Sequence, residues 1–283
     1  MDRNLVEMLT TFARAMIPRE LRNWLRSPSK SGQWLLDSAR YSVGMNRTLS
    51  LPGEWQIACH PAAYRVFSQA QISDPEQTLE FRNFLSFCNS SMQLFDIGAS
   101  FGVFSLAAAR FGGNVVAVDP SPFATRMITL QAHMNDCGKR IRVLQATASD
   151  TNGVIDVLSS GVFSNGYFKV VKGRSKSELT PTQAITVDQM TSHFGSPTHI
   201  KIDVEGHEAA VLRGAVNTVR QFSPLLFLEL HNEMIVSEGG DPNSVLDLLT
   251  HSGYRTFALN GETISTTSIL SHPITRLVAR RAA

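Results

Sequence analysis

The nine residues Leu-Phe-Asp-Ile-Gly-Ala-Ser-Phe-Gly at positions 94–102 constrain the fold of this chain more than any other segment. Asp96 lies near the end of an apolar run, and Gly98 and Gly102 lie directly before the segment Val103–Arg110, which suits a helix. This order predicts a buried strand, a tight turn and a helix. Glycines let a ligand approach the backbone, and the amides at a helix N-terminus favour electron-rich groups such as a carboxylate. The segment therefore predicts a ligand-binding corner, in which Asp96 would repel a pyrophosphate but suit an amino group.

A second acidic residue follows where a nucleoside needs one. The apolar run Asn114–Val118 ends at Asp119. The spacing fits an acid at the tip of the next strand, which accepts hydrogen bonds from ribose hydroxyls. Ser121 and Pro122 then supply an N-cap and a first-turn proline for a second helix. The order strand, helix, strand, helix is therefore continuous, as expected of an α/β fold.

Composition agrees with a globular protein that is large enough for an enzyme. The chain has 283 residues, of which 43% are hydrophobic, and a formal net charge of +2. This charge gives no strong reason to expect nucleic acid or an anionic membrane as a partner. Cys59, Cys88 and Cys137 are isolated and odd in number, and no apolar run approaches the roughly 20 residues of a membrane span. We therefore expect a cytoplasmic protein with no transmembrane segment.

The first 55 residues differ from the rest and are predicted to form an N-terminal helical extension. An apolar stripe at helical spacing is followed by several arginines. Its members are Leu5, Met8, Leu9, Phe12 and Met16. We expect this helix to pack on the main domain, with peripheral membrane contact, dimerisation or a substrate lid as alternatives. The main domain is predicted over 56–272, with a basic C-terminal tail at 273–283.

The middle of the chain continues the alternation. Ile141–Thr147 is predicted as a third strand, with Ala148 and Ser149 at its ligand end, and Val154–Leu158 as a further extended piece. Residues 159–183 are rich in Gly, Ser and Lys, and we expect an exposed loop or hairpin there.

The run His-Ile-Lys-Ile-Asp-Val-Glu-Gly-His-Glu at residues 199–208 gathers several ionisable groups at one strand end. A strand carries Asp203 to its tip, Gly206 permits a turn, and one helix with an apolar face is expected to follow. Glu208 is expected only to interact with the dipole of that helix. The next strand, Pro224–Leu230, is followed by His231. Ligands of open parallel sheets bind outside the carboxyl ends of the strands, so these groups should face the same crevice as the first two acids.

With these motifs the chain resembles the FkbM-type methyltransferases over roughly residues 90–260. The glycine turn is shared by most class I methyltransferases, whereas the Lys-Ile-Asp-Val-Glu-Gly run is more particular to this family. The matching segments are 96–102, 119–122, Thr-Val-Asp at 186–188, 201–208, Leu-Arg-Gly-Ala at 212–215 and Leu-Glu-Leu-His at 228–231. Ser100 stands where an asparagine is common, but a small polar residue should preserve the turn.

The resemblance implies a Rossmann-like class I methyltransferase fold. Such a fold has a mostly parallel seven-stranded sheet, helices on both faces and an antiparallel edge strand. After a predicted strand at Tyr254–Leu259, the turn Asn260-Gly261 would lead into that edge strand at Thr263–Leu270.

The resemblance also implies S-adenosylmethionine as the cofactor and O-methylation of a hydroxyl on a natural product, glycan or related metabolite. Asp96, Gly98 and Gly102 would surround the methionine part, Asp119 would hold the ribose, and Ala148 and Ser149 are candidates for the adenine pocket. The full set of expected cofactor residues is Asp96, Gly98, Ala99, Ser100, Gly102, Asp119, Pro120, Ala148 and Ser149.

Methyl transfer requires an acceptor oxygen in line with the methyl carbon and a group that draws away the proton of that oxygen. The candidate catalytic residues are Asp203, Glu205, His207 and His231. His231 suits a general base if its pKa is near the ordinary value of about 6.5. A competing hypothesis places a divalent ion on Asp203, Glu229 and His231. No spacing rule in the sequence proves it, so it stays a competing hypothesis and no metal ligand is assigned.

Three other classes of function are alternatives to a methyltransferase that acts on a hydroxyl. An NAD(P)-dependent oxidoreductase would use a similar turn, but the spacing here is Gly-x-x-x-Gly rather than Gly-x-G-x-x-Gly. A non-catalytic interaction protein with the same fold remains an alternative, because a fold does not determine function. A nucleic-acid methyltransferase is disfavoured by the small net charge. The acceptor and the oligomeric state stay open.

Overall fold

The computed structural model describes residues 30–51, 55–65, 68, 75–159, 168–170 and 179–282. The predicted stripe from Leu5 to Met16, and most of the stretch 159–183, lie outside these ranges. None of the helices in the described ranges has the length and apolar character needed to cross a lipid bilayer.

The described elements alternate between strands and helices. The helices are α1 (Lys30–Ser42), α2 (Pro75–Leu85), α3 (Val103–Arg110), α4 (Pro122–Met134), α5 (Val187–Phe194), α6 (Glu208–Arg213), α7 (Val216–Phe222), α8 (Asn232–Ser237), α9 (Asn243–His251) and α10 (Thr266–Leu270). The strands are β1 (Arg47–Leu51), β2 (Trp55–Cys59), β3 (Gln93–Ile97), β4 (Asn114–Asp119), β5 (Ile141–Gln145), β6 (Thr147–Ala148), β7 (Gly153–Ser159), β8 (Phe168–Val170), β9 (Leu179–Ile185), β10 (His199–Ile202), β11 (Leu225–Leu230), β12 (Tyr254–Ala258) and β13 (Thr275–Arg281).

Seven of these strands form the central sheet, in the order β12-β13-β11-β10-β3-β4-β5. The five strands from β11 to β5 are parallel to one another, and β13 is antiparallel to both of its neighbours. Strand β12 therefore runs in the same direction as the parallel set. This arrangement confirms the predicted fold class, a mostly parallel seven-stranded sheet.

Helices cover both faces of this sheet. One hydrophobic cluster joins α2, α3 and α4 to one face through residues such as Phe84, Leu106 and Ile128. A second cluster joins α5, α6, α7 and α9 to the other face through residues such as Met190 and Val211. Because both faces are covered, the central strands are mostly apolar, which is why the sequence located β3, β4, β10 and β11 correctly.

The third predicted strand is shorter than expected. Strand β5 ends at Gln145, and Thr147 and Ala148 instead pair with β9 in a separate sheet of order β6-β9-β7-β8. Strand β7 pairs antiparallel with both β8 and β9. The described parts of 159–183 are therefore strands of this second sheet.

The single helix expected after β10 is divided into α6 and α7. The break lies at Gly214, where an added Cβ would lie 2.0 Å from the carbonyl oxygen of Ser149. The backbone therefore packs directly against the end of β6, and the chain turns before it resumes a helix. Phe222, the last residue of α7, is 40% exposed, so the apolar face predicted for this helix is not buried along its whole length.

The predicted C-terminal part was wrong in two respects. Thr263 makes only an isolated bridge to Phe257, and Thr266–Leu270 is the helix α10 rather than an edge strand. The predicted tail supplies the antiparallel strand instead, because β13 inserts between β11 and β12. The first five residues of β13, including Arg276, are buried and only Arg280 and Arg281 are exposed, so the predicted basic tail is a core strand that ends in two arginines.

The predicted N-terminal boundary also needs correction. Within the described part of residues 1–55, α1 is helical as expected. Strand β1, however, pairs with β2, and this pairing crosses the predicted boundary between residues 55 and 56. Leu49 and Leu51 of β1 belong to the main hydrophobic cluster. Residues 47–51 therefore belong to the packed core as a strand rather than to a helical addition.

The placement of β13 can be tested by the cost of truncating a core residue. Leu277 is 1% exposed, whereas Leu35 on α1 is 55% exposed. We expect Leu277→Ala to lower the free energy of unfolding by about 2–4 kcal/mol and Leu35→Ala to change it by less than about 0.5 kcal/mol. Urea unfolding followed by circular dichroism measures both. Equal, small effects would show that the C-terminus is a tail after all.

Candidate active site at the carboxyl ends of the strands

The turn between β3 and α3 is built on left-handed backbone. Gly98, Ser100 and Gly102 have φ values of 79°, 50° and 80°. The amides of Gly98 and Ala99 donate to the carbonyl of Val118 at 2.9 and 3.1 Å, which ties the turn to β4. Gly102 is the N-cap of α3 and offers no side-chain cap, so the first amides of this helix face the turn.

The backbone of this turn also lies against the end of β10. An added Cβ at Gly98 would lie 1.7 Å from the carbonyl oxygen of Asp203, a distance that no side chain tolerates. Glycine is thus required at position 98 both by its φ value and by the neighbouring strand. The predicted ligand corner and the predicted catalytic run are therefore in direct contact.

Asp96 lies deeper than a residue at a strand tip. It is 2% exposed, and its Oδ2 atom accepts a hydrogen bond of 2.6 Å from the Ser105 hydroxyl of α3. Burial raises the pKa of its carboxyl group above the ordinary value. The side chain of Asp96 is thus held beneath the glycine turn, against helix α3.

Asp119 joins the first two turns of the fold. Its Oδ2 atom accepts from the amide of Ser100 at 2.9 Å and its Oδ1 atom accepts from the amide of Ser121 at 2.8 Å. Burial raises its pKa to about 7. Since Ser100 contributes its backbone amide here, the difference between serine and asparagine at this position does not change the contact.

The two candidates for the adenine pocket lie on a different strand from the one expected. Ala148 is the last residue of β6, in the second sheet, Ser149 follows it, and each is 3% exposed. The Ser149 hydroxyl lies 3.0 Å from Nε2 of His207. His207, predicted as catalytic, thus contacts this side of the site.

The other three predicted catalytic residues come together. Nε2 of His231 lies 3.6 Å from Oε2 of Glu205 and 3.8 Å from Oδ1 of Asp203. The side chains of Asp203 and Glu205 are 30% and 28% exposed, whereas that of His231 is 3% exposed. Glu205 adopts a left-handed φ of 53°, which is unusual for a residue other than glycine and is typical of functional turns.

Glu208 holds His231 from the interior. Its Oε1 atom accepts hydrogen bonds from Nδ1 of His231 at 2.8 Å and from the amide of Gly206 at 3.1 Å. Burial by itself lowers the pKa of His231, but the hydrogen bond to Glu208 and the charges of Asp203 and Glu205 outweigh it and raise this pKa to about 9. The ordinary pKa expected for His231 is therefore wrong. Its ring is protonated at neutral pH, which disfavours it as a general base.

A buried ion network lies behind this cluster. Arg276 of β13 binds both carboxylate oxygens of Glu229, at 2.7 and 3.1 Å. Nζ of Lys201 lies 3.3 Å from Oδ2 of Asp203 and 3.4 Å from Oε1 of Glu80. Glu229 is one of the three residues of the competing metal hypothesis, and both of its carboxylate oxygens are thus bound by an arginine.

Sequence reasoning missed Glu80, Lys201, Glu208 and Arg276 as parts of the site. Lys201 carried a signal, since a charged residue inside an apolar strand needs a buried partner. Glu80 and Arg276 carried none, because they are far from Lys201 in the sequence and join its network only through the fold.

The chain is similar in sequence to known methyltransferases. A family model described as "Methyltransferase FkbM domain" matches residues 96–256. Hexuronic acid methyltransferase AglP of Haloferax volcanii is 27% identical over 161 residues, which are 56% of this chain. The chain spans 62% of the length of this curated relative.

Among solved structures, methyltransferase FkbM from Methylobacillus flagellatus KT superposes with a TM-score of 0.45 and 17% identity, covering 68% of this chain and 44% of that one. The O-methyltransferase from Bacillus cereus in complex with SAH gives a TM-score of 0.45 and 14% identity, covering 77% of this chain and 88% of that one.

The contact between the glycine turn and β10 can be tested at Gly98. Gly239 has a similar φ of 76°, but an added Cβ there would meet nothing within 4 Å. Gly239→Ala should therefore cost only the left-handed backbone penalty of about 1–2 kcal/mol, whereas Gly98→Ala adds a backbone clash and should cost about 3 kcal/mol or more. Urea unfolding of the two variants measures this difference. Equal costs would contradict the close approach of Gly98 to Asp203.

Proposed function

The chain belongs to the FkbM methyltransferase family, and we propose that it transfers the methyl group of S-adenosylmethionine to a hydroxyl group of a glycan or hydroxyl-bearing small molecule. The observation that carries this proposal is the contact between Gly98 and Asp203. It brings the turn that suits the cofactor directly against the acidic cluster that suits an acceptor.

The residues of the first two turns fit the cofactor chemically. The uncapped amides at the start of α3 suit the methionine carboxylate. Each carboxylate oxygen of Asp119 accepts one backbone amide and has a second lone pair, so the ribose hydroxyls can donate to it. Bound there, the cofactor supplies a methyl group on a sulfonium, which an acceptor oxygen takes with release of S-adenosylhomocysteine and of the hydroxyl proton.

The acidic cluster supplies the groups that act on the acceptor. Asp203 and Glu205 are partly exposed, so they can hydrogen-bond the acceptor hydroxyl and draw its proton away as the new bond forms. His231 is protonated and buried, and its role is to hold these two carboxylates in place. Lys201, which contacts Oδ2 of Asp203, fixes the orientation of that side chain.

The glycan part of the proposal is supported by the relative AglP, which is a hexuronic acid methyltransferase. A non-catalytic role for the fold is the second candidate, and the tests below separate the two.

Cofactor binding is tested first, by isothermal titration with S-adenosylhomocysteine. We expect saturable binding to the wild-type chain and an affinity about tenfold to a hundredfold lower for Asp119→Asn, since hydrogen bonds to a charged acceptor are lost. Asp247→Asn, an exposed aspartate on α9, is the matched control and should bind like the wild type. Binding of NAD instead would support an oxidoreductase, and binding of neither ligand would favour the non-catalytic alternative.

The same titration has an expected pH dependence. Burial holds the pKa of Asp119 at about 7, so the free protein must lose a proton before it can accept both ribose hydroxyls below that pH. Affinity should therefore fall about tenfold between about pH 8 and about pH 6. Asp119→Asn should remove this dependence, whereas a fall that persists in the variant would assign it to another group.

The acceptor is tested with tritiated S-adenosylmethionine and an oligosaccharide that contains hexuronic acid. We expect label in the oligosaccharide that resists mild alkali, because a methyl ether survives and a methyl ester does not. Glu205→Gln should lower the rate by about a hundredfold or more, the usual contribution of a proton-accepting group. Glu233→Gln, an exposed glutamate of α8, should leave the rate unchanged. Alkali-labile label would show that a carboxyl group, rather than a hydroxyl, is methylated.

A further inference from the structure

Three side chains at the carboxyl ends of β10 and β11 bring possible metal ligands together. One ligand atom from each of Asp203, Glu205 and His231 lies within 4.8 Å of the other two. Nε2 of His231 is 3.6 Å from Oε2 of Glu205 and 3.8 Å from Oδ1 of Asp203. Atoms that are each about 2.1 Å from a shared ion lie about 3.0–4.2 Å apart, depending on the angle between them. The two distances from Nε2 across the gap between these atoms therefore suit ligands of one ion.

Nε2 of His231 faces this gap, whereas Nδ1 is hydrogen-bonded to Glu208. The side chain of His231 is 3% exposed, and Nε2 lies beyond hydrogen-bonding distance of each carboxylate near it in the described part of the chain. Three carboxylates thus lie 3.6–3.8 Å from Nε2 without a direct hydrogen bond, an arrangement that suits an ion bound between the ring and the carboxylates.

Glu208 sets the tautomer that an ion requires. Its Oε1 atom accepts from the Gly206 amide at 3.1 Å, so it also acts as the acceptor for Nδ1 of His231 at 2.8 Å. The Nδ1 atom therefore carries a proton, and Nε2 can bind an ion once its own proton leaves. A buried carboxylate behind a histidine is the usual way in which proteins orient a metal-binding imidazole.

The carboxyl groups around this gap outnumber the permanent cations, which favours the binding of a divalent cation. Ion pairs in the described cluster join six carboxyl groups, those of Glu76, Glu80, Asp203, Glu205, Glu208 and Glu229, to His231 and to the two permanent cations Lys201 and Arg276. Arg276 binds both oxygens of Glu229, and Lys201 binds Oδ2 of Asp203. The Oδ1 atom of Asp203 is the one that faces His231.

We propose that Asp203, Glu205 and His231 bind a divalent transition-metal ion, with Glu208 as the residue that positions His231. One nitrogen and two oxygen ligands favour an ion such as Mn²⁺ or Zn²⁺ over Mg²⁺ or Ca²⁺, which prefer oxygen alone. Asp203 and Glu205 are partly exposed, so coordination positions remain on the open side of the ion.

The location of the ion suggests its use, and this step alone rests on the proposed function. The carbonyl of Asp203 lies against the glycine turn, so the ion would be next to the methionine part of the cofactor. An acceptor hydroxyl bound to the ion has a lowered pKa and gives up its proton more readily. The ion would thus replace the direct hydrogen bonds from Asp203 and Glu205.

The site is tested with Mn²⁺ alone, by electron paramagnetic resonance of the full chain after treatment with a chelator. We expect saturable binding of one Mn²⁺ per chain, seen as loss of the signal of the hydrated ion. His231→Ala and Glu205→Gln should each weaken this binding at least tenfold, because each removes one ligand. Glu233→Gln should bind as the wild type does.

Glu208 needs a separate test because it acts through His231. Glu208→Ala should weaken Mn²⁺ binding about tenfold to a hundredfold, and Glu208→Gln, which keeps one acceptor oxygen, should restore most of it. Thermal unfolding of both variants separates this effect from stability. A purely structural role would change the melting temperature and leave the Mn²⁺ affinity of the folded variants unchanged.

Absence of saturable Mn²⁺ binding, or equal binding by the wild type, His231→Ala and Glu205→Gln, would overturn the proposal. Glu205→Gln lies at a partly exposed position and keeps the shape of the side chain, so it gives an answer even if His231→Ala fails to fold. A chain that binds S-adenosylhomocysteine but not Mn²⁺ overturns the ion site alone. One that binds Mn²⁺ but no cofactor overturns the proposed function instead.

Discussion

The buried ammonium group of Lys201 is the charge on which the arrangement of the site depends. It lies on β10 in the middle of the sheet, 3.3 Å from Asp203 and 3.4 Å from Glu80, with its Nζ atom 4.5 Å from the centre of the Phe104 ring. Burial alone would lower its pKa, but the surrounding carboxylates keep this pKa above its usual range. The same ammonium group allows several carboxylates to stay close together in a region that water barely reaches. Removal of one partner from such a buried pair typically costs about 3–5 kcal/mol, because the other charge is left uncompensated.

The second cation, Arg276, explains why the C-terminal strand belongs to the site as well as to the sheet. Strand β13 brings its guanidinium group to Glu229 in two parallel hydrogen bonds. The same arginine reaches Glu80, which also contacts Lys201. Glu80 on α2, Lys201 on β10 and Arg276 on β13 thus link three distant parts of the chain behind the cluster. The exposed side of the cluster, at Asp203 and Glu205, is thereby positioned by groups that never reach the surface.

Glycine geometry controls the other half of the site. Gly98 lets the turn between β3 and α3 approach the carbonyl of Asp203, and Gly214 lets the end of α6 pack on the carbonyl of Ser149. Both contacts are between backbone atoms, so they set the positions of turns rather than of flexible side chains. The cofactor turn, the strand end that carries the acids and the end of β6 are consequently held in one fixed arrangement.

The sequence by itself determined most of the parallel part of the fold, because strands buried on both faces are mostly apolar and the segments between them have helical periodicity. It also predicted Asp96, Asp119, Asp203, Glu205 and His231 as site residues, since each lies at or next to the end of a predicted strand. Only the tertiary structure decided that Thr275–Arg281 is a core strand. Arg276 can be buried because Glu229 lies opposite it on β11, and the sequence does not show this pairing. The same holds for Glu208 and for the raised pKa of His231, which depend on side chains that meet across 23 residues of chain. The periodicity that predicts helices and strands depends on residues that are neighbours in the sequence. Charge pairing and the packing of turns depend on residues that only the folded chain brings together.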